Sequence, residues 1–294
     1  MLAFRLEWLS IVVIALIDVV LASQAGLRFH LNLHDANLLA VPLIVAAMLA
    51  SKFCARRVAI MLEFIALILA TAPVLAVATY IALAQSGPLR DDQFLLADRA
   101  LGFDWLSWFH FVMAHPIIAH PLSLLYYSPA VQVVYFTVLM GLMGAKQRMR
   151  EIFWILLLAL VLTTLISWLM PAMGPFQTFG LKSYGAFLPE ISRVHSGQAV
   201  EFSLEQLQGI VTFPSFHTTL ALTMVYAFRR TGLVGWILAL ANGVLLLGVP
   251  VFGGHYLVDM IAGAVVFALA LAAVRIGVRT RQRRTEPEMA MAAA

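Results

Sequence analysis

The uncharged run IFWILLLALVLTTLISWLM, Ile152–Met170, decides the fold of this chain. A single helix needs about 20 apolar residues to cross the hydrocarbon core of a bilayer, and this run comes close to that length. Comparable apolar runs lie at 8–25, 36–53, 58–84, 121–144, 214–228, 233–251 and 256–276. We therefore predict an all-α, polytopic transmembrane helix bundle of about eight spans. The run at 214–228 is the shortest, and its assignment depends on how well it fits the topology.

The composition agrees with this class. The chain has 294 residues, of which 62% are hydrophobic and 12% are charged, and its mean hydropathy is +0.93. Soluble domains carry about 25% charged residues. The basic residues form short clusters between apolar runs, which is typical of topology signals and not of a nucleic-acid surface, so no nucleic-acid partner is expected. The single cysteine, Cys54, excludes an internal disulfide and a cysteine metal cluster.

The basic residues divide unequally between the two ends of the predicted helices. With the N-terminus inside, one end collects 14 of the 19 Lys and Arg residues: Arg5, Lys52, Arg56, Arg57, Lys146, Arg148, Arg150, Arg229, Arg230, Arg275, Arg279, Arg281, Arg283 and Arg284. The other end keeps Arg28, Arg90, Arg99, Lys182 and Arg193. The positive-inside rule then predicts that both termini are cytoplasmic.

Three regions follow from the run spacing. We expect residues 1–57 to form two N-terminal transmembrane helices and 58–276 to form a six-helix membrane core. Residues 277–294 form a polar cytoplasmic tail that we expect to be disordered. Within the core, the acidic and aromatic segment 85–116 is expected to lie on the membrane as interfacial helices. A second long outer loop, 171–213, is rich in Gly, Pro, Ser and Gln.

Two short motifs carry polar side chains at the start of apolar runs. FPSFHTTLAL, Phe213–Leu222, contains Ser215 and His217, and GGHYLVDMIAG, Gly253–Gly263, places His255 and Asp259 four residues apart. Four residues are one helical turn. A carboxylate at that spacing can accept a hydrogen bond from one imidazole nitrogen, fix the tautomer and leave the other nitrogen free to react.

The predicted topology brings the two motifs to one end of the bundle. Both runs begin at the outer face, and an antiparallel helix pair between them returns the chain to the same depth. We therefore predict that the polar residues from Ser215 to Thr219 form one site with His255 and Asp259. An interfacial position of either histidine is the simpler alternative. Ionisable residues in spans nevertheless indicate function, since a central charge costs roughly 2.5 kcal/mol or more.

At these residues the sequence resembles a known family. PSFH and GGHYLVD are similar to the second and third signatures of the type-2 phosphatidic acid phosphatase superfamily, written PSGH and SR-x5-H-x3-D. The stretches LADRALGFDW, PAMGPF at Pro171–Phe176 and TFPSFHTTLAL resemble its inositol phosphorylceramide synthase (aureobasidin-resistance) branch. The resemblance covers about residues 90 to 270, and it implies that the six-helix core 58–276 is the catalytic unit.

The resemblance implies a role for each matching residue. His255 is expected to be the nucleophile that attacks phosphorus and forms a phosphohistidine, and Asp259 to orient it. His217 is expected to act as general acid and then as general base. Ser215 and Thr218 are expected to hold phosphate oxygens at a helix N-terminus. No metal or other cofactor is implied.

The sequence departs from the signatures at three places. The first signature, K-x6-RP, is absent, Gly248 and Val249 occupy the Ser-Arg positions, and Phe216 replaces the glycine of PSGH. A phosphoryl transition state needs cationic or multiple hydrogen-bond stabilisation. We expect Arg193, and after it Lys182, to bind the phosphate, because they are the only Lys and Arg residues in the loop before PSFH. The alternative is that both are solvated loop charges.

The predicted function is that of an integral-membrane, metal-independent lipid phosphate phosphatase or phosphotransferase. Its substrate is a membrane lipid phosphate, and water or an alcohol such as inositol resolves the intermediate. Two other classes remain: a channel or transporter, whose polar residues would spread through the midplane, and a catalytically silent relative that binds lipid phosphate. We expect a bacterial inner membrane, with the active site on the outer, periplasmic face.

Other ionisable residues are interpreted as structural. His110, His115 and His120 recur every five residues, which advances a helix by about 140°, so they do not share a face for a metal or haem and are expected to be interfacial. Asp18 and Glu63 lie inside apolar runs, where packing or snorkelling is favoured over a proton or substrate pathway.

Overall fold

The computed structural model describes residues 3–30, 36–53, 55–185, 187–198, 200–203, 207 and 209–292, with the side chains of 36, 37, 182, 200, 203 and 279–292 outside the described part. Short 3-10 turns occur at Ala36–Leu39 and Lys182–Tyr184. The other elements are, in chain order, α1 (Arg5–Gln24), β1 (Leu27–His30), α2 (Ala40–Lys52), α3 (Arg56–Ala84), α4 (Asp91–Ala100), α5 (Trp105–Ala114), α6 (Pro116–Tyr126), α7 (Pro129–Leu142), α8 (Lys146–Leu169), α9 (Pro175–Thr178), α10 (Leu188–His195), β2 (Val200–Ser203), α11 (Phe216–Phe228), α12 (Leu233–Gly253) and α13 (Leu257–Ala292).

The fold class is confirmed as a polytopic, all-α membrane bundle. In the described part of the chain, α1, α3, α8, α12 and the first part of α13 are long and apolar enough to span a membrane. The pair α6 and α7, bent by 47° at its break, makes a sixth candidate. The two remaining predicted spans are shorter: α2 and α11 have 13 residues each, about 20 Å of helix. The count of eight spans therefore stays a prediction.

The short helix α11 lies inside the bundle and not at its edge. It packs against α7, α8, α12 and α13, and its residues Ala221 and Met224 are fully buried. Protein therefore surrounds most of the helix, so it does not need the length of a lipid-exposed span.

The outer segments are more structured than the sequence predicts. β1 and β2 form a two-stranded parallel sheet, with Leu27 opposite Val200, which ties the α1–α2 connection to the loop before α11. The predicted interfacial segment 85–116 contains α4 and α5 and ends where α6 begins. The backbone of α13 is helical as far as Ala292, and the disorder expected for the tail 277–294 stays a prediction.

The two carboxylates expected to be packing residues have different surroundings. Glu63 accepts hydrogen bonds from the backbone N–H groups of Ala3 and Phe4, at 2.7 and 2.8 Å, and so caps the start of α1. Glu7 is fully buried and pairs with Arg150 at 2.6 Å. Asp18 is buried in α1, and its Oδ2 atom has no hydrogen-bond partner within the described residues. Glu63 is therefore structural, because it attaches α1 to α3.

Candidate active site

His255 and Asp259 form a buried pair at the start of α13. The Nδ1 atom of His255 lies 3.3 Å from Oδ2 of Asp259, and the same Oδ2 accepts a 2.8 Å hydrogen bond from the Tyr256 backbone N–H. Gly254 ends α12 in the left-handed region, with φ of +61°, which lets the chain turn sharply into the pair. His255 is 4% exposed and Asp259 is fully buried.

His217 lies next to this pair. Its ring centroid is 6.2 Å from that of His255, and its ring stacks on Tyr126 of α6 at 4.5 Å with an interplanar angle of 21°. Within the described residues, no side-chain hydrogen bond restrains the His217 nitrogens. The stacking fixes the plane of the ring while leaving its nitrogens available for proton transfer.

Ser215 and Thr218 join α11 to α13. Ser215 is the N-cap residue of α11, and its hydroxyl accepts a hydrogen bond from the Thr218 N–H at 3.4 Å. The backbone N–H of Ser215 donates to the Asp259 carbonyl oxygen at 3.0 Å. Ser215 is fully buried and Thr218 is 3% exposed. The structure therefore brings both residues to the histidines, and it gives Ser215 a capping role in addition to the phosphate-binding role predicted for it.

A glycine permits the close approach of these helices. A Cβ atom built on Gly263 of α13 would lie 2.3 Å from the Ser215 carbonyl oxygen, and the Thr219 hydroxyl donates to the Gly263 carbonyl at 2.8 Å. The backbones of α11 and α13 are thus in direct contact, which holds the two histidines side by side.

Two aspartates on α4, missed by the sequence reasoning, hold the loops around the site. Asp98 accepts from the backbone N–H groups of Leu257 and Val258 at 2.8 and 2.9 Å, so it caps the first turn of α13. Asp91 accepts from the N–H groups of Met173 and Gly174 and from the Tyr256 hydroxyl at 3.2 Å. A seven-residue spacing puts both carboxylates on one helix face, and this is the signal that could have identified them.

Two aromatic residues complete the surroundings. Trp105, at the start of α5, donates from Nε1 to the carbonyl oxygens of Pro250 and His255, at 3.1 and 3.0 Å. Tyr126 stacks on His217 as described above. Neither contact has a sequence signal, because both depend on how α5 and α6 fold back onto the ends of α11 and α12.

The two basic residues proposed to bind phosphate lie in the loop before α11. Arg193 lies on α10, and its side chain is exposed. Lys182 begins a short 3-10 turn, but its side chain lies outside the described residues. In the described part of the chain, no hydrogen bond or ion pair joins a Lys or Arg side chain to His217, His255 or Asp259. Phosphate binding by either residue therefore stays a prediction.

The site is electrostatically unusual because it concentrates buried carboxyl groups. Burial raises the pKa of Asp98 above its ordinary value against the effect of its two backbone hydrogen bonds, and burial likewise raises the pKa of Asp91. Burial lowers the pKa of His255 to about 4, opposed by a hydrogen bond with the backbone of Thr212. His255 is therefore an uncharged imidazole at neutral pH, the form that can act as a nucleophile.

The three histidines spaced five residues apart lie on two successive helices. His110 lies on α5, His115 lies at the junction of α5 and α6, and His120 lies on α6. Among the described residues, no group of three or more His, Cys, Asp or Glu side chains is arranged to hold a metal ion.

Fold and site together define a multi-pass membrane protein with a buried histidine–aspartate pair beside a second histidine. A family model for the PAP2 superfamily matches residues 92–273, more than half of the 294 residues. The chain belongs to the PAP2 superfamily, a group of phosphatase-type enzymes that act on lipid phosphates. The match does not distinguish the inositol phosphorylceramide synthase-like branch. Comparisons with curated proteins and with solved structures gave no match.

Proposed function

We propose that this protein is a metal-independent lipid phosphate phosphatase or phosphotransferase that works through a phosphohistidine on His255. The observation that carries the proposal is the hydrogen bond between Nδ1 of His255 and Asp259 with the His217 ring 6.2 Å away. This arrangement supplies a nucleophile, a group that orients it and a proton carrier in one place.

The first half-reaction uses the His255 nitrogen that Asp259 does not occupy. The Nε2 lone pair attacks phosphorus and forms a P–N bond, while the P–O bond to the lipid alcohol breaks. Protonated His217 gives its proton to the leaving oxygen. Asp259 stabilises the positive charge that the imidazole gains, much as a buried carboxylate does for other catalytic histidines.

The second half-reaction regenerates the enzyme. Neutral His217 takes a proton from water or from an alcohol, whose oxygen attacks phosphorus as the P–N bond breaks. With water the product is free phosphate, and with an alcohol such as inositol or a ceramide the phosphoryl group is transferred. The resemblance of LADRALGFDW and PAMGPF to inositol phosphorylceramide synthases is the reason to keep transfer beside hydrolysis.

Phosphate binding is the part of the proposal that rests on loop residues. We assign it to the hydroxyl and amide groups near Ser215 and Thr218, with Arg193 first and Lys182 second as the source of positive charge. The reason is that a developing phosphoryl charge requires such donors. Because the Arg193 side chain is exposed, a movement of α10 or the position of the bound lipid headgroup has to bring Arg193 and the phosphate together.

The proposed topology follows from the distribution of charge. The end of the bundle with 14 of the 19 Lys and Arg residues is assigned to the cytoplasm, together with both termini. The histidine site lies at the other end, which we assign to the outer, periplasmic face of a bacterial inner membrane.

The experiment that tests this function is product analysis with the purified protein in detergent. Wild type, His255→Ala and His110→Ala receive phosphate-labelled phosphatidate or phosphoinositide donors, with and without inositol and ceramide. We expect wild type and His110→Ala, an exposed-histidine control, to release or transfer label, and His255→Ala to do neither. A chelator is expected to leave the activity unchanged.

Each other outcome has a definite meaning. Label in free phosphate identifies a hydrolase, and label on an added alcohol or lipid identifies a transferase. No turnover by wild type across the panel contradicts the proposal and favours a silent phosphate-binding relative or a transporter. Undiminished turnover by His255→Ala removes His255 as the nucleophile.

A further inference from the structure

A pocket of about 610 Å³ lies at the end of the bundle opposite to the histidines. It forms where α3 and α8 begin and where α7 ends. α8 has 24 residues and runs from this pocket towards the histidine end, a length of about 36 Å. The pocket is therefore separate from the candidate active site.

Three cationic side chains line the pocket: Arg56, Arg57 and Lys146. The Nη1 atom of Arg57 donates to the Leu142 carbonyl at 3.2 Å, which holds the guanidinium against the end of α7. Lys146 is half-buried. The ammonium of Lys146 lies 5.7 Å from the ring centroid of Phe4, whereas Arg56 and Arg57 are exposed. All three side chains line the same concave surface.

The pocket lining includes no Asp or Glu side chain. The nearby carboxylates Glu7 and Glu63 are already engaged: Glu7 pairs with Arg150, and Glu63 accepts from two backbone N–H groups at the start of α1. Glu63 and Glu7 offset part of the charge of Lys146, and the three cations of the lining still leave a positive surface that an anionic ligand can balance.

The rim of the pocket is apolar. Met143 and Val58 line it and are 61% and 40% exposed, and Leu142, next to Met143 in the chain, is 57% exposed. A small soluble anion gains nothing from these side chains. A phospholipid contacts both parts, since its phosphate meets the cations while its acyl chains cover the apolar rim.

We propose that this pocket binds the phosphate headgroup of an anionic phospholipid, in the leaflet opposite to the one that the histidines face. Basic pockets between transmembrane helices are suited to such headgroups. The inference is independent of the proposed catalytic function, because none of its residues contacts the histidine site.

The test is the dissociation constant for the first phosphatidylglycerol molecule bound to delipidated protein, measured by native mass spectrometry. We compare wild type with the triple variant Arg56→Gln, Arg57→Gln, Lys146→Gln. The control is Arg5→Gln, Lys52→Gln, Arg230→Gln, which removes the same charge from the same end of the bundle outside the pocket. Each basic group near a membrane surface contributes roughly fivefold in affinity.

We expect the pocket variant to bind phosphatidylglycerol on the order of a hundredfold more weakly than wild type, and the control to bind about as tightly as wild type. Binding of phosphatidylcholine should differ little among the three. An equal loss in both variants would show a diffuse charge effect, and an unchanged constant in the pocket variant would remove the site. Either result overturns the proposal.

Two further measurements keep the inference testable if the triple variant folds poorly. The single variant Lys146→Gln should weaken binding by roughly fivefold, while Lys146→Arg, which keeps the charge, should preserve it. Inorganic phosphate is added alone as a competitor. If it displaces the lipid at concentrations comparable to those of phosphatidylglycerol, the pocket is a site for free anions and the lipid assignment is wrong.

Discussion

Asp259 is fully buried, yet its Oδ1 atom has no hydrogen-bond partner in the described part of the chain. A buried polar atom without a partner costs about 1–3 kcal/mol. Its Oδ2 atom, in contrast, contacts both His255 and the Tyr256 N–H. Among the described residues, Glu7 and Asp18 also leave one buried oxygen unpaired, so it is the contact of Oδ2 with His255, and not the unpaired Oδ1, that supports a role for Asp259 in the chemistry of His255.

The first prediction concerns this carboxylate. Asp259→Asn keeps the size of the side chain but removes the charge that stabilises an imidazolium, so we expect kcat to fall on the order of a hundredfold or more with a small change in KM. Steady-state kinetics on the lipid donor measure both. Asp92→Asn, on the exposed face of α4, serves as the control. A rise in KM at constant kcat would assign Asp259 to binding instead.

The second prediction concerns pH. A nucleophilic imidazole reacts in its neutral form, and burial lowers the pKa of His255 to about 4. His255 therefore stays neutral as the pH falls from 7 to about 5. Its neutral form is lost to protonation only as the pH falls through about 4. We expect the acidic limb of kcat/KM, measured in single-turnover experiments, to lie near pH 4. An acidic limb near the ordinary histidine value would contradict the burial of the nucleophile.

At the scale of elements, the site lies at the N-termini of α11 and α13, and hydrogen bonds cap both N-termini. α11 begins at the Ser215 cap, and α13 begins at N–H groups that Asp98 of α4 accepts. These contacts set the distance between the two histidines. The function of α4 is therefore to position α13, although the sequence predicts only an interfacial segment.

The third prediction follows from the Asp98 contacts. Asp98→Ala leaves two N–H groups at the start of α13 without their partner, so we expect a lower melting temperature and a loss of kcat of about tenfold or more. Asp98→Asn keeps one acceptor oxygen and should recover part of both losses. Thermal unfolding and kinetics are measured for both, with Asp92→Asn as the matched control. Full activity in Asp98→Ala would show that α13 does not depend on this cap.

The fourth prediction concerns Gly263. A Cβ at this position would meet the Ser215 carbonyl at 2.3 Å, so Gly263→Ala should force α11 and α13 apart and separate the histidines. We expect a destabilisation of about 1–3 kcal/mol and a large loss of activity. Gly243→Ala in α12, where a Cβ has no neighbour within 4 Å, is the control and should be nearly neutral. Equal effects of the two substitutions would contradict the close helix contact.

At the scale of the whole molecule, some features are predictable from sequence and others are not. The placement of His217 and His255 at one end of the bundle is predictable from the apolar runs, whereas their side-by-side position depends on the contact between α11 and α13 at Gly263. The spacing of His255 and Asp259 likewise fixes their contact. The sheet between β1 and β2 is not predictable, since it joins two short segments far apart in the chain.

The contacts of Asp98, Trp105 and Tyr126 depend on tertiary packing, which leaves little local trace in a sequence. Asp98 reads as one of several acidic residues in an outer segment, and only its burial reveals its partners on α13. The length of α11 is likewise hard to predict from sequence. Protein and not lipid surrounds most of this helix, so the thickness of the bilayer does not set its length.

The fifth prediction tests the topology. In a Cys54→Ala background, Ser196→Cys lies at the histidine end and Ser51→Cys at the arginine-rich end. A membrane-impermeant maleimide added to intact cells should label the first and not the second, and lysed cells should label both. Labelling of Ser51→Cys alone would reverse the proposed orientation.

The most direct test of the central claim is identification of the phosphorylated residue. Wild type and His217→Ala are quenched rapidly with labelled donor, and the phosphoryl group is located by peptide mapping. The donor is an activated aryl phosphate, whose leaving group departs without a proton from His217. We expect an acid-labile, base-stable phosphoryl group on His255, and we expect it to accumulate in His217→Ala. Label on another residue, or turnover with no phosphoryl-enzyme in either protein, would contradict it.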